Sequence, residues 1–307
     1  MSTVANKQAP NSIVMVRPHQ FVSNPQTMAD NAFQRPLDAK QTAKAAYAEV
    51  TNAITTLQNN GIQVHVFEDT GTSTPDSVFP NNWFSTHHNG LVISYPMYAR
   101  NRRLEYRQDI INFLQANYQY QQYVDFRRFA NEDKFLEGTG SVVFDHQHKL
   151  AYSVESKRTD AELLRQVCQL LGYQDVLFNA ADEHNMPIYH TNVLMCVATQ
   201  FVMIGMNMVA TADKPRLYNL FKQSGLSVIE LSNQQIHQFC GNALELQAAD
   251  GSVLALSETA FNALSEAQKT TLKQYTRLLP LAVPTIEAAG GSVRCMLAGV
   301  HPSMQKA

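Results

Sequence analysis

Short apolar runs alternate with helically spaced apolar positions along most of the chain. Ser12-Ile13-Val14-Met15-Val16-Arg17-Pro18 reads as a strand closed by proline. From Asp38 to Asn60, Ala39, Ala43, Ala46, Val50, Ile54 and Leu57 recur every three or four residues, the spacing of a one-sided helix, and Asn59-Asn60-Gly61 stops it. Ile62 to Phe67 alternates as a strand. Asn82 to Ser85 leads through Gly90 into Leu91–Ser94, and Arg102 to Asn117 is helical again. The same order then returns. Strands at 141–144 and 150–153 flank the polar turn Asp145-His146-Gln147-His148-Lys149, and Thr159 to Leu171 forms a helix ending at Gly172. Further on come apolar runs at 190–197 and 201–204, a helix near 214–224, and strands at 226–231, 244–246 and 252–257. A helix from Ser257 to Thr271 follows, and Val293 to Leu297 reads as a closing strand. Such units recur roughly every 50–60 residues, the signature of an internally repeated α/β architecture. Neither a Pro/Ser-rich linker nor a charge run divides residues 1–307, so a single domain is expected.

Composition narrows the function classes. Lys and Arg number 24 against 26 Asp and Glu, a net charge of −2 that gives no general attraction for nucleic acid or an acidic membrane. No apolar run approaches the roughly 18 residues of a membrane span, and the polar start MSTVANKQAPNS lacks the apolar core of a signal peptide. A soluble protein in a reducing, cytoplasmic setting is expected, with homo-oligomerisation left open. Cys168, Cys196, Cys240 and Cys295 are far apart, without CxxC pairs, so free thiols are expected. His87-His88 and His146-x-His148 lack a third ligand at metal-binding spacing, and Gly138-x-Gly140 lacks the lysine of a phosphate loop, so neither metal nor cofactor is expected.

One of the four thiols is set apart by its neighbours. Gly290-Gly291-Ser292-Val293-Arg294-Cys295-Met296 places a cysteine after a diglycine and beside an arginine. Only a thiolate attacks well, a neighbouring cation favours it, and glycines present such a residue with little cover. Upstream stand His190 in Tyr189-His190-Thr191-Asn192 and Glu137 in Leu136-Glu137-Gly138-Thr139-Gly140. Nucleophile, base and orienting acid are thus available, far apart in sequence as such groups usually are.

Taken together, these residues resemble the guanidino-group-modifying superfamily of arginine deiminases, dimethylarginine dimethylaminohydrolases and glycine amidinotransferases. Arg294-Cys295-Met296 looks like a deiminase nucleophile motif, and Asp76-Ser77-Val78-Phe79-Pro80-Asn81-Asn82 like a substrate-binding segment of the dimethylarginine hydrolases. Lys157-Arg158-Thr159 looks like their carboxylate-binding arginine element. The run Phe79 to His87 is most similar to the citrulline-utilisation hydrolase branch. The resemblance implies a pentein, a five-bladed α/β propeller of ββαβ repeats. It also implies a cofactor-free hydrolase of non-peptide C–N bonds with Cys295 as nucleophile, His190 as acid and base, and Glu137 as the group holding substrate nitrogen. For a bound amino acid it implies Arg158, or less directly Arg100, at the α-carboxylate, Asp76 at the amino group, and Asn24 from the first repeat. Taken alone, Glu137 and Asp76 would equally serve as turn carboxylates and Arg158 as a surface arginine.

Two departures shift the expected substrate. Asn82 stands where guanidinium binders carry a carboxylate, and Asn81 replaces a glutamate. A planar cation wants a bidentate anion, whereas an amide offers one acceptor and one donor group and so suits a neutral ureido group. Asn192 replaces the aspartate of a His-x-Asp motif and is placed to hydrogen-bond the same neutral group. The expectation is hydrolysis of citrulline or a close analogue to ornithine, ammonia and carbon dioxide. The alternatives are a deiminase, dihydrolase or amidinotransferase using a guanidino substrate, and a non-catalytic binding pentein.

Overall fold

The computed structural model describes residues 7–28, 31, 33–34 and 39–302. Asp38, the expected first residue of the long helix, and both ends of the expected 1–307 domain lie outside that set. Fifteen strands are present among the described residues: β1 (Ser12–Pro18), β2 (Gln63–Asp69), β3 (Phe84–Thr86), β4 (Leu91–Ser94), β5 (Gln122–Asp125), β6 (Val142–Asp145), β7 (Leu150–Val154), β8 (Gln174–Phe178), β9 (Met195–Val197), β10 (Phe201–Ile204), β11 (Ser227–Glu230), β12 (Leu244–Ala248), β13 (Gly251–Ser257), β14 (Arg277–Leu281) and β15 (Ala298–Val300).

They form five three-stranded sheets of one design, the five blades of a pentein. A tight hairpin pairs the first two strands antiparallel; the chain then crosses through a helical segment and returns parallel to the middle strand. Parallel neighbours need such a crossover, which a hairpin cannot supply. One sheet unites the two ends of the chain: β1 lies between β2, parallel to it, and β15, antiparallel to it with Ser12 opposite Val300. The ring is therefore closed by backbone hydrogen bonds, and no sheet of the ring is left to the last repeat alone. Central strands β4, β7 and β10 are buried throughout, which explains their near-continuous apolar sequences.

Helix Ala39–Asn59 packs Ala46, Val50, Ala53, Ile54 and Leu57 into the core beneath β1, as its spacing requires. Three expectations are corrected. The helix expected over 102–117 is a 3-10 turn, Asn101–Glu105, followed by an α-helix, Gln108–Tyr118, because Tyr106 and Arg107 adopt extended backbone angles between them. The helix expected over 257–271 is two helices, Glu258–Ala263 and Glu266–Leu272, the second restarted by a Ser265/Gln268 capping box. Finally, Val293–Met296 is a helical turn rather than a strand, and the closing strand begins at Ala298. Among the described residues no helix is long and apolar enough to cross a membrane.

Candidate active site

The first strands of the sheets, β3, β6, β9, β12 and β15, line the middle of the ring. Each is entered from a short turn, and the polar residues of interest sit in those turns: Pro80–Asn82 before β3, Gly138–Ser141 before β6, Thr191–Leu194 before β9, Gly241–Ala243 before β12, and Val293–Met296 before β15. Five turns, one from each repeat, thus converge on one end of the channel. Asn82, Glu137, His190, Asn242 and Cys295 come together for that reason.

Glu137 and His190 occupy the N-cap positions of their turns. Glu137 Oε2 accepts a hydrogen bond at 2.7 Å from His190 Nε2, while Oε1 accepts one from the Tyr98 backbone N–H at 2.9 Å. The Arg158 guanidinium lies 3.3 Å from the same Oε2. Burial would raise this carboxyl, but Arg158 and the His190 hydrogen bond outweigh it and hold Glu137 below the usual carboxylate range. Burial lowers the His190 imidazole to about 4, against the pull of Glu137, so the ring is neutral at pH 7. Glycine is required in the turn that carries Glu137. Gly138 has φ of +44° and its Cα faces the Asn81 carbonyl, while a Cβ on Gly140 would overlap the Asn82 amide and come 2.9 Å from His190 Cε1.

Cys295, 3% exposed, has two amide donors against its sulfur: Asn192 Nδ2 at 3.4 Å and Asn242 Nδ2 at 3.3 Å. Asn242 is fixed by donating to the Asn192 carbonyl at 2.9 Å and by accepting from the Arg294 backbone N–H at 3.0 Å. Its Cys240-Gly241-Asn242 sequence reads as core packing at a strand entry; only counting the repeats would align Asn242 with Asn192. Cys168, Cys196 and Cys240 are also free and buried, and burial pushes each thiol up to about 12, the behaviour of inert core residues.

A cavity of about 20 Å³ borders Cys295, His190, Asn82, Asp76, Arg158 and Arg102, with Thr27 and Asn31 over it. Asn31 Nδ2 donates to the Gly290 carbonyl at 3.3 Å beside the cavity. Asp76 is buried beside Asn24, whose Nδ2 donates to its Oδ2 at 2.7 Å, so Asn24 positions Asp76 without lining the cavity. Asn81 likewise stays behind the wall, bonded to Thr139 at 3.2 Å.

Arg100 is the clear correction. It is exposed and outside the cavity, whereas the 3-10 turn that follows directs Arg102 inward. Arg102 binds Glu105 in two-point fashion (2.8 and 2.9 Å) and lies 3.6 Å from Asp76. The hydrogen-bond network orients the Asn82 amide with its oxygen accepting from Arg102 Nη1 (2.9 Å) and Nη2 (3.2 Å), and its nitrogen near Asn81 Oδ1 (3.1 Å). A second expectation also changes: His146 is not in a solvated turn but buried against His301, with ring centroids 4.2 Å apart. Among the described residues, no group of three His, Cys, Asp or Glu side chains is disposed to hold a metal ion.

The family described as N,N dimethylarginine dimethylhydrolase, eukaryotic, matches residues 17–302. Solved structures with the same fold include the substrate-bound N-terminal domain of ArgZ, an arginine dihydrolase from the ornithine-ammonia cycle in Cyanobacteria. It is 15% identical, with a TM-score of 0.76, over 96% of this chain and 99% of that one. Unliganded AgrE matches at 15% identity and a TM-score of 0.76, but 96% of this chain spans only 40% of that one. A dimethylarginine dimethylaminohydrolase carrying a 4-chloro-2-hydroxymethylpyridine adduct matches at 15% identity and a TM-score of 0.63, over 96% and 99% of the two chains. No curated protein matches this chain.

Proposed function

This chain belongs to the N,N dimethylarginine dimethylhydrolase family, within the guanidino-group-modifying superfamily of C–N hydrolases, and from that premise we propose that it cleaves the ureido group of citrulline or a close analogue through an adduct on Cys295. The observation that carries the substrate choice is the orientation of Asn82. Its oxygen is engaged by Arg102 and one N–H meets Asn81 Oδ1, so the group the side chain has left for a substrate is its second N–H, a donor. A ureido carbonyl can accept from that donor; a guanidinium has only donors and would oppose it. A guanidinium would be a third cation beside Arg102 and Arg158, adding like-charge repulsion that only the neighbouring carboxylates offset.

In this mechanism His190 takes the thiol proton and Cys295 Sγ attacks the ureido carbon, with Asn82 donating to the oxygen as it gains charge. Collapse expels ammonia, which takes the proton from His190, and leaves a thiocarbamate joining sulfur to the carbon still bonded to ornithine Nδ. Water, losing a proton to His190, adds to that carbon and the sulfur departs. The released N-carboxy ornithine loses carbon dioxide to give ornithine. Glu137 keeps His190 oriented and balances the imidazolium as it forms. Asn192 and Asn242 hold the sulfur, Arg158 is assigned the α-carboxylate and Asp76 the α-amino group. No step needs a cofactor, and residues 1–307 are taken to work as one domain in the cytoplasm, within the citrulline-utilisation branch.

A guanidino substrate is the second reading, favoured by the three carboxylates Asp76, Glu105 and Glu137 gathered around Arg102. Incubation with citrulline, arginine and dimethylarginine in separate reactions distinguishes the two. Ornithine and ammonia in equal amounts from citrulline support the proposal. Citrulline from arginine, or dimethylamine from dimethylarginine, with citrulline itself untouched, would replace it with the second reading.

A further inference from the structure

Arg294 and Cys295 are consecutive, yet they face different cavities. Cys295 borders the site, whereas Arg294 borders a second cavity of about 40 Å³ farther along the channel, between the inner strands. Its walls include His87, His146, His301, Cys196 and Thr139, with Gln8 from the chain start across it. Gln8 is anchored there by donating to the Phe144 and Val197 carbonyls and by accepting from the His146 N–H.

Among the described residues no carboxylate lines this space. Among the described residues Arg294 makes no ion pair; its one side-chain hydrogen bond is Nη1 to the Leu297 carbonyl at 2.9 Å. The remaining N–H donors of this part-buried guanidinium have no protein acceptor among the described residues, and a charge drawn partly out of water without a counter-charge is costly. Burial lowers this guanidinium to about 10, in keeping with that lack of compensation. Two further groups are unpartnered: His87 Nδ1 and His301 Nδ1 are buried without a hydrogen bond among the described residues, and each can carry an N–H. A cavity of this size admits only a few water-sized atoms.

We propose that the channel binds a small inorganic monoanion of halide size, with the Arg294 guanidinium as its principal ligand and His87 or His301 N–H groups completing the site. The anion supplies the missing counter-charge. It also anchors the turn that carries the nucleophile, because the Arg294 backbone N–H holds the same Asn242 that touches Cys295 Sγ.

Bromide is the direct probe. Crystals of the unaltered protein soaked in sodium bromide should show an anomalous peak within hydrogen-bond reach of Arg294. In solution, raising sodium chloride against sodium gluconate at constant ionic strength should raise the melting temperature along a saturating curve. Arg294→Gln should weaken that apparent halide affinity at least about tenfold, and His301→Phe, which fills the cavity, should abolish the saturation even if Arg294→Gln does not fold. A cavity holding only water in bromide, or halide curves identical in the unaltered protein and His301→Phe, would overturn the proposal. Neither readout depends on which substrate is turned over.

Discussion

At the scale of single residues, chemistry and position were unequally legible. Cys295, His190, Glu137 and Asn82 could be picked out because each has a reactive or recognising group in a turn-like setting, and the fold does bring them together. Asn242 was hidden because Cys-Gly-Asn carries no chemical signal; its role comes only from lying in the fourth of the five turns. Arg102 was hidden among Arg100, Arg102 and Arg103, since which arginine faces inward depends on the pitch of one 3-10 turn. Asn242→Ala removes one of two donors to the sulfur. A hydrogen bond to a charged group is worth about 1.5–3 kcal/mol, so kcat should fall about 10- to 100-fold with the melting temperature little changed. Steady-state rates beside a thermal melt check this. Asn82→Asp restores a carboxylate in place of the amide, and the ratio of kcat/KM for citrulline to that for arginine should fall by about tenfold or more. An unchanged ratio would remove Asn82 from substrate choice.

Among elements, the middle strands and long helices follow from their apolar spacing, but the third strand of several sheets does not. Gln122–Asp125 is short and polar at both ends, and Arg277–Leu281 contains Pro280; both are half-exposed edge strands whose pairing partner, not their composition, makes them strands. The turns preceding β6, β9 and β15 are single helical turns, too short to leave a periodic trace, which is why Val293–Met296 reads as a strand. Their shape is nevertheless strict. Gly140→Ala should displace Asn82 and His190 together, lowering kcat/KM by at least about 10²-fold, because misplacement by about 1 Å is that costly. In contrast, Ser265→Ala should cost about 1 kcal/mol through loss of a helix cap far from the channel, leaving turnover unchanged. Paired melts and rates on these two variants separate positioning from stability.

Over the whole molecule, the ring concentrates titratable groups around its channel, and this sets a pH dependence. His190 is brought by burial to about 4, and burial with neighbouring positive groups holds His87, His146 and His301 well below the ordinary imidazole range. In the unfolded chain these rings protonate near pH 6.5. The unfolded state therefore binds more protons, and stability must fall as pH drops through 6.5 toward 4. Glu105, pushed up to about 7 by burial, and Asp76 and Glu49, also raised by burial, work in the opposite sense, but the four imidazoles together with the lowered Glu137 outnumber them. Melting temperature should be clearly lower at pH 5 than at pH 7.5; equal values would mean that these rings are not buried as described. The central claim concerns a bond between one sulfur and one carbon. Its most direct test is to quench turnover of citrulline labelled with carbon-13 at the ureido position and to measure the mass of the Cys295 peptide. The account predicts a labelled thiocarbamate on Cys295, absent with Cys295→Ala, which should also lose ornithine formation by more than about 10³-fold. Ornithine released at an undiminished rate by Cys295→Ala, with no label on the native peptide, would contradict it.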